Sequence, residues 1–436
     1  MAFNGSGTYN LPAGNPVVTG TTISSSTTNT TNSDIATALT NCITRDGQST
    51  PSANLPMNAK KLTGLAAGTS AGDSVRYEQV LLLAGGTMTG AITFVAGQTF
   101  NSSLPRSTKT SAYTLVSADS GTLVEVTSGT FTLSFTAAAT LGNGWFCYVK
   151  NSGTGSITLD PNASETIDGL TSYIMYPNET RLITCSGTSF FSTVLSPFNL
   201  TLTATGTFVT PPGYSNFSGF LWGGGGSGNV SATTRSGGGG GACVPFTVSS
   251  SELSSSFTVT IAAGGVGVTT ATGNVGGTSS FTLANSKVVS SYGGGGGNAS
   301  RGGGGGGSQG AGGSGTGGAP TINTGITNES SSNGFGGGIG AGDQSSSGYA
   351  GKFSQYGGGG GGRNNTTYGD LISGNSAFGG GGGSNTVSSG GTSYFGGDGG
   401  ASSGLSGSAP AGGGAANTTG TSGAGARGEF RIQGVA

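Results

Sequence analysis

The chain has 436 residues, with 15 basic, 16 acidic and no histidine, so charged side chains make up 7% and the formal net charge is −1. Ordinary soluble domains carry about a quarter of charged residues, and here no basic stripe exists to displace counterions from a phosphate backbone, which excludes nucleic acid as a partner. The most apolar window, Val80–Ala84, is far shorter than the roughly 20 residues a membrane span needs, and residues 1–30 show no basic stretch leading into an apolar run, so neither a span nor a secretory leader is expected.

Residues 1–32 are polar and turn-rich, with Pro12, Gly14 and Pro16 marking an extended lead-in. A short helix is predicted from Ser33 to about Arg45: Ser33 can cap it, Asp34 suits its positive end, and Ile35, Leu39, Cys42 and Ile43 share a face. A second is predicted over Ser74–Ala84, between Gly72-Asp73 and Gly85-Gly86. Helices this short are marginal alone in water. They need neighbours, and copies of themselves about a three-fold axis would serve.

From Ala112 to Leu195 the pattern changes to short β segments with turn signals every 8–12 residues. They read Tyr113–Ser117, Thr122–Thr127, Thr130–Thr136, Trp145–Lys150, Ser156–Asp160, Ser172–Tyr176, Thr180–Ser186 and Ser189–Leu195. Phe131, Leu133 and Phe135 alternate with Thr and Ser, as in a strand with one buried face. So many strands in so short a stretch predict a β-sandwich or jelly roll. Cys147 and Cys185 both fall in it, where a bridge competes with the simpler reading of the cysteines as small buried hydrophobes. Their wide spacing predicts no metal site, and no cofactor is expected.

Phe208, Phe217, Phe220 and Trp222 open another β pattern, continued by Cys243–Val248, Phe257–Ala262 and Phe281–Tyr292. Glycine then takes over; most of the chain's 94 glycines follow Leu221, in runs at 223–226, 237–241, 293–297, 302–307, 357–362 and 379–383. A last strand at Glu429-Phe430-Arg431-Ile432 cannot stand alone. It is predicted to close the sheet opened by Phe208–Trp222. The chain therefore divides into 1–100 with two short helices, a β-sandwich at 101–198, and a Gly-rich domain at 199–436 with a β core (199–292 and 428–435) and an insertion (293–427).

Ordering a residue costs about 1–2 kcal/mol of backbone entropy, most for glycine, against about 0.5–1.5 kcal/mol returned by a net hydrogen bond. A lone Gly run should stay flexible. Several runs side by side can behave otherwise, because polyproline-II-type helices have no internal hydrogen bonds and can pair every N–H and C=O with a neighbour. Such a packed bundle is the expectation here, with joining loops at its ends. Gln344–Tyr356, Arg363–Phe378 and Ser384–Phe395 hold Tyr349, Phe353, Tyr356, Tyr368, Phe378, Tyr394 and Phe395 among Ser, Asn, Gln and Thr. That composition suits binding loops. The same rings could instead cap the bundle or fill an interface between copies.

Catalytic patterns fail on inspection. Gly306-Gly307-Ser308-Gln309-Gly310 matches a nucleophile elbow, but a chain without histidine cannot complete a Ser-His-Asp triad. Asp160-Pro161-Asn162-Ala163-Ser164 starts like a calcium loop and then places Glu165 and Thr171 where Gly and Glu are needed. A polysaccharide-cleaving tailspike would want paired carboxylates in a groove, whereas Asp119, Glu125, Asp160, Glu165 and Asp168 sit mostly at turns.

Asn54-Leu55-Pro56-Met57-Asn58, Lys60-Lys61-Leu62-Thr63-Gly64-Leu65 and Ala71-Gly72-Asp73-Ser74-Val75, followed by Gly86-Thr87-Met88-Thr89-Gly90-Ala91-Ile92, resemble a module common in tailed-bacteriophage fibre proteins. Residues 112–198 are similar to a β-sandwich of such fibres, and Phe208–Gly226 with Gly425–Ile432 resemble Gly-rich, polyglycine-type fibre tips. The resemblance implies an all-β, elongated trimeric fibre and a non-enzymatic virion protein assembled in the bacterial cytoplasm. Its N-terminal region would join a tail hub, baseplate or adaptor protein, and its far end would bind a host surface glycan or outer-membrane protein. A capsid fibre is the alternative placement, and a tailspike-type enzyme the rival activity.

Overall fold

The computed structural model describes residues 18–20, 22–40, 59, 63–67, 69–70, 103–270, 272–318, 336–344, 347–365, 369–385 and 389–435. Residues Met1–Phe100 and Asn101–Ala436 form separate compact units. In the first, a helix α1 spans Ser25–Thr40, starting earlier than expected, so that Ser33 is interior and not a cap. Its sequence hides it: Ser, Thr and Asn are weak helix formers. The hydroxyls of Thr28, Thr30, Thr31, Thr37 and Thr40 are instead satisfied on the carbonyl four residues back. Ala38 is buried while Leu39 is exposed. The predicted helix over Ser74–Ala84 lies outside the described residues.

The second unit begins with nine strands: β1 (Arg106–Lys109), β2 (Tyr113–Leu115), β3 (Leu123–Val126), β4 (Thr132–Phe135), β5 (Asn143–Asn151), β6 (Ile157–Asp160), β7 (Tyr173–Met175), β8 (Thr180–Ser186) and β9 (Phe190–Ser196). The first six alternate between two sheets. β1, β3 and β5 run parallel in one, β2, β4 and β6 run parallel in the other, and β7, β8 and β9 add antiparallel. The chain therefore coils through its first six strands before folding back, which is not the connectivity of a jelly roll. Both sheets feed one core, with Leu115, Leu133, Phe135 and Ile157 from one and Val124, Cys147, Val149, Ile183 and Phe190 from the other. Cys147, Cys185 and Cys243 are free and buried, so no bridge joins the first two. Burial pushes the Cys147 thiol well up, and it is inert packing.

Parallel stacking of β1, β3 and β5 gathers Arg106 and Lys150 on the Glu125 carboxylate, with the Ser152 hydroxyl donating to it at 2.6 Å. The Ser152 bond, then Arg106, holds this carboxyl below its ordinary value. A lowered folded value means the folded chain binds fewer protons than the unfolded one in acid. The contribution is thus present above the unfolded carboxylate value near pH 4.3 and lost as pH falls through the folded value. Glu125→Gln is expected to melt below the wild type at pH 7 and to converge with it as pH falls through the folded value. Parallel melting curves across that range would contradict this.

Further along come β10 (Asn199–Leu202), β11 (Gly206–Val209), β12 (Asn216–Trp222), β13 (Arg235–Ser236), β14 (Cys243–Ser249), β15 (Ser256–Thr260), β16 (Ser279–Thr282) and β17 (Val288–Ser291). The last are β18 (Gly342–Gln344), β19 (Ser347–Tyr349), β20 (Arg363–Asn365), β21 (Gly369–Leu371) and β22 (Glu429–Val435). Sheets β10-β22-β12-β14 and β11-β15-β16-β17 enclose an aromatic core of Phe198, Phe208, Phe217, Phe257, Phe281 and Phe430. The C-terminal strand β22 lies antiparallel between β10 and β12, so everything from Gly223 to Gly428 apart from β14–β17 hangs between sheet strands as an insertion.

Outside the short strands β13 and β18–β21, the glycine runs of that insertion are neither helix nor sheet. Their backbone groups are nevertheless paired, and the pairing repeats every third residue. N–H groups of Gly237 and Gly240 go to Gly362 and Gly359, those of Gly238 and Gly241 to Gly414 and Ala411, and those of Gly239 and Ala242 to Gly295 and Tyr292, at 2.8–3.0 Å. Three other segments donate back: Gly303 and Gly306, Gly383 and Gly380, and Gly226 and Gly223 reach the same run's carbonyls at 2.7–3.0 Å. The run 237–242 is thus enclosed on all sides by backbone. A Cβ on Gly226, Gly240 or Gly383 would collide with the carbonyl of Gly295, Gly380 or Gly414.

Candidate functional site

The hydrogen-bonded runs have two ends of different chemistry. One faces the sheets: the Cys243 N–H donates to the Tyr356 carbonyl at 2.7 Å, and the Trp222 indole N–H donates to the Phe378 carbonyl at 2.6 Å. Three sequence units meet here, Ser354-Gln355-Tyr356-Gly357, Ser376-Ala377-Phe378-Gly379 and Ser393-Tyr394-Phe395-Gly396. In each the serine hydroxyl donates to a glycine carbonyl next to the preceding rung: Ser354 to Gly336, Ser376 to Gly357 at 2.7 Å, and Ser393 to Gly379 at 2.6 Å. The register this sets stacks the rings. Phe378 lies between Tyr356 and Phe395, each 4.6 Å away and within 13° of parallel, and Phe220 joins the side of the stack at 6.1 Å.

The sequence-predicted rings that lie among the described residues take two different places. Tyr356, Phe378 and Phe395 form a stacked cap at the sheet end, which is the packing alternative for these residues. Tyr394 (91% exposed) and Phe353 project from the segments beside that cap. Tyr349 ends β19 and Tyr368 falls in 366–368, outside the described residues, in the connection between β20 and β21.

The opposite end carries turns and hairpins. β18 pairs with β19, and β13, β20 and β21 form a three-stranded patch. The Asn298 side chain caps the N–H groups of Ser300 and Arg301, and the Asn385 amide donates to the Arg363 carbonyl at 2.9 Å. Arg235 donates to the Asn364 amide oxygen at 3.2 Å, and Asn364 contacts Asp370. This end is held together by polar amide contacts, with Asn385 fully buried and Asn298 and Asn364 half-buried.

The profile of a glycine-rich domain family matches residues 202–433, more than half of the chain. The chain belongs to this glycine-rich domain family. No curated protein matches it. The glycine-rich domain thus spans both the aromatic-cored sheets and the hydrogen-bonded runs, and its start and end fall on β10 and β22.

Carboxylates considered for sugar cleavage have structural partners. Asp119 accepts from the Val116 N–H and the Tyr113 hydroxyl, Glu165 from the Ala138 N–H, and Asp168 from the Ser192 N–H and hydroxyl. Sequence reasoning missed a different set, a polar row across β10, β22, β12 and β14. Its signal was the alternation of Asn199, Ser218, Thr247 and Gln433 with core residues.

Proposed function

We propose that the chain is a bacteriophage tail-fibre subunit that works as a homotrimer and attaches the virion to the bacterial surface, with no catalytic role. The observation that carries this reading is the period-three pairing of the glycine runs. A polyproline-II-type backbone has three residues per turn and a rise of about 3.1 Å, so it offers donors in three directions in turn. Runs of this type behave as polyglycine-II-type helices packed side by side. They give a rigid support without charged side chains or a large apolar core, and hold hairpins out at the end away from the sheets. Residues 1–100 provide attachment to the particle, and α1, with Leu39 exposed, gains partners from other copies.

With a net charge of −1, long-range steering is negligible, and recognition rests on short-range hydrogen bonds and ring contacts. Three copies compensate for a weak site through effective concentration, by roughly 10²–10⁴ where geometry allows simultaneous contact. Particles carrying Tyr349→Ala with Tyr368→Ala are expected to lose adsorption while the purified subunit keeps its trimeric mass. Tyr394→Ala, at the sheet end, should leave adsorption intact. Full adsorption by the double variant would put host contact elsewhere, and a monomeric mass would remove the trimer.

A further inference from the structure

A groove of about 370 Å³ crosses the outer face of sheet β10-β22-β12-β14. Strand alternation turns Phe217, Leu221, Phe430 and Ile432 into the core and the intervening side chains outward. The register lines up two rows. Asn199, Gln433, Ser218 and Thr247 stand side by side on the four strands, and the adjacent row places Arg431 next to Phe220 and Pro245. Neighbouring strands are about 4.8 Å apart, so the polar row extends roughly 14 Å.

The polar row has hydrogen-bonding capacity to spare. The Asn199 amide and Thr247 hydroxyl make no hydrogen bond among the described residues, and Gln433 donates to the Ser218 hydroxyl at 3.2 Å, leaving the Gln433 carbonyl and the serine proton available. Arg431 is held in place, its Nε on the Glu429 carboxylate at 2.7 Å and its guanidinium 4.8 Å over the Trp222 ring, while 42% of its side chain stays exposed. Glu429 also accepts from Arg427 at 3.1 Å, so it offsets only part of the Arg431 charge. Phe220, half-buried, shows part of a ring whose position is fixed by Trp222 and Phe378.

We infer that this groove is a binding site for a segment of a neutral glycan chain. A ring face and an adjacent row of amides and hydroxyls match the two surfaces of a pyranose, its C–H face and its edge of hydroxyls. The groove falls in the roughly 300–1,000 Å³ range of small-ligand sites. Arg431 is the one charged side chain in a lining otherwise of amides, hydroxyls and apolar groups, which suits an uncharged ligand better than a polyanion. The site extends the attachment reading with a ligand class and draws only its biological purpose from it.

Full-length protein carrying Trp145→Phe leaves Trp222, beneath Arg431, as the single tryptophan reporter. Titration with unbranched hexasaccharides of glucose, galactose or N-acetylglucosamine is expected to change its emission saturably for at least one of them. Asn199→Ala with Thr247→Ala touches only exposed side chains and should weaken that binding roughly tenfold, as expected for two net hydrogen bonds. Phe220→Ala should abolish it, though it also unstacks Phe378, so the surface pair decides. No saturable binding by any of the three sugars, unchanged binding by the surface pair, or a changed subunit mass in that pair (an interface between copies) would each overturn the inference. Particle adsorption is not read in this experiment, so failure of the loop reading and failure of the groove are distinguishable.

Discussion

Replacing Gly240 with alanine is expected to cost more than about 4 kcal/mol, or to abolish soluble protein, although it adds one methyl group. Gly240 donates to the Gly359 carbonyl and accepts from Gly306, and its Cβ would collide with the carbonyl of Gly380. Each ordered glycine costs about 1–2 kcal/mol and each net hydrogen bond returns about 0.5–1.5 kcal/mol, so the array is viable only when nearly every donor and acceptor is used. Moving one backbone aside lengthens bonds to several neighbours together. Gly304→Val and Gly359→Val should behave alike, since their Cβ atoms would meet the carbonyls of Thr316 and Gly374. Gly206 is the control: an added Cβ there has only the Ala204 carbonyl within reach, at 3.8 Å, and its φ is not in the left-handed region. Gly206→Ala should stay within about 1 kcal/mol of wild type in denaturant melts. If Gly240→Ala melted with the control, the runs would be behaving as linkers.

Why the rings at the ends of these runs were hard to assign follows from the same geometry. Tyr, Ser, Gly and Asn together suit binding loops, but here the serine is committed to the preceding rung's glycine carbonyl, and that fixes the next ring on the stack. The recurrence of Ser-x-aromatic-Gly at Ser354, Ser376 and Ser393 is visible in the sequence and carries the cap; composition alone does not.

The coil of β1 to β6 was hidden for another reason. Turn signals at similar spacing serve a hairpin and a solenoid turn equally well, so Thr132–Phe135 and Ile157–Asp160 were readable as strands but not as parallel neighbours. β1 went unread because Arg106-Ser107-Thr108-Lys109 has no apolar residue; its pairing is paid for by Glu125 on the adjacent strand. By contrast the alternation in Thr180–Ser186 and the lone apolar pair in β22 were legible, since a one-residue slip in either would turn core side chains outward. Nothing in the sequence around Glu179 or Arg181 announces that both are fully buried.

That buried pair supports the second large effect. Arg181→Met is expected to destabilise the protein by about 3–5 kcal/mol, because it strands a carboxylate that has no access to water. Glu179 accepts from Arg181 at 2.6 Å, from the Tyr214 hydroxyl at 3.0 Å and from the Tyr176 N–H at 3.0 Å. Burial pushes its carboxyl above the ordinary range, and the guanidinium opposes that shift. Arg181 also donates to Ser192 at 2.8 Å and to the Pro212 carbonyl at 2.7 Å, and lies 4.9 Å over Tyr173, so it joins β8 and β9 to the segment leading into β12. Losing it should loosen that junction as well as the core, and limited proteolysis near Pro212 should accelerate before global unfolding. Pairing Arg181→Met with Glu179→Leu removes both charges, and most of the lost stability should return, since replacing a buried ion pair with apolar side chains of similar volume is often neutral or better. Denaturant melts of the two single variants and the double provide the cycle. Additive losses, with no recovery in the double variant, would mean the residues contribute as packing and not as a pair.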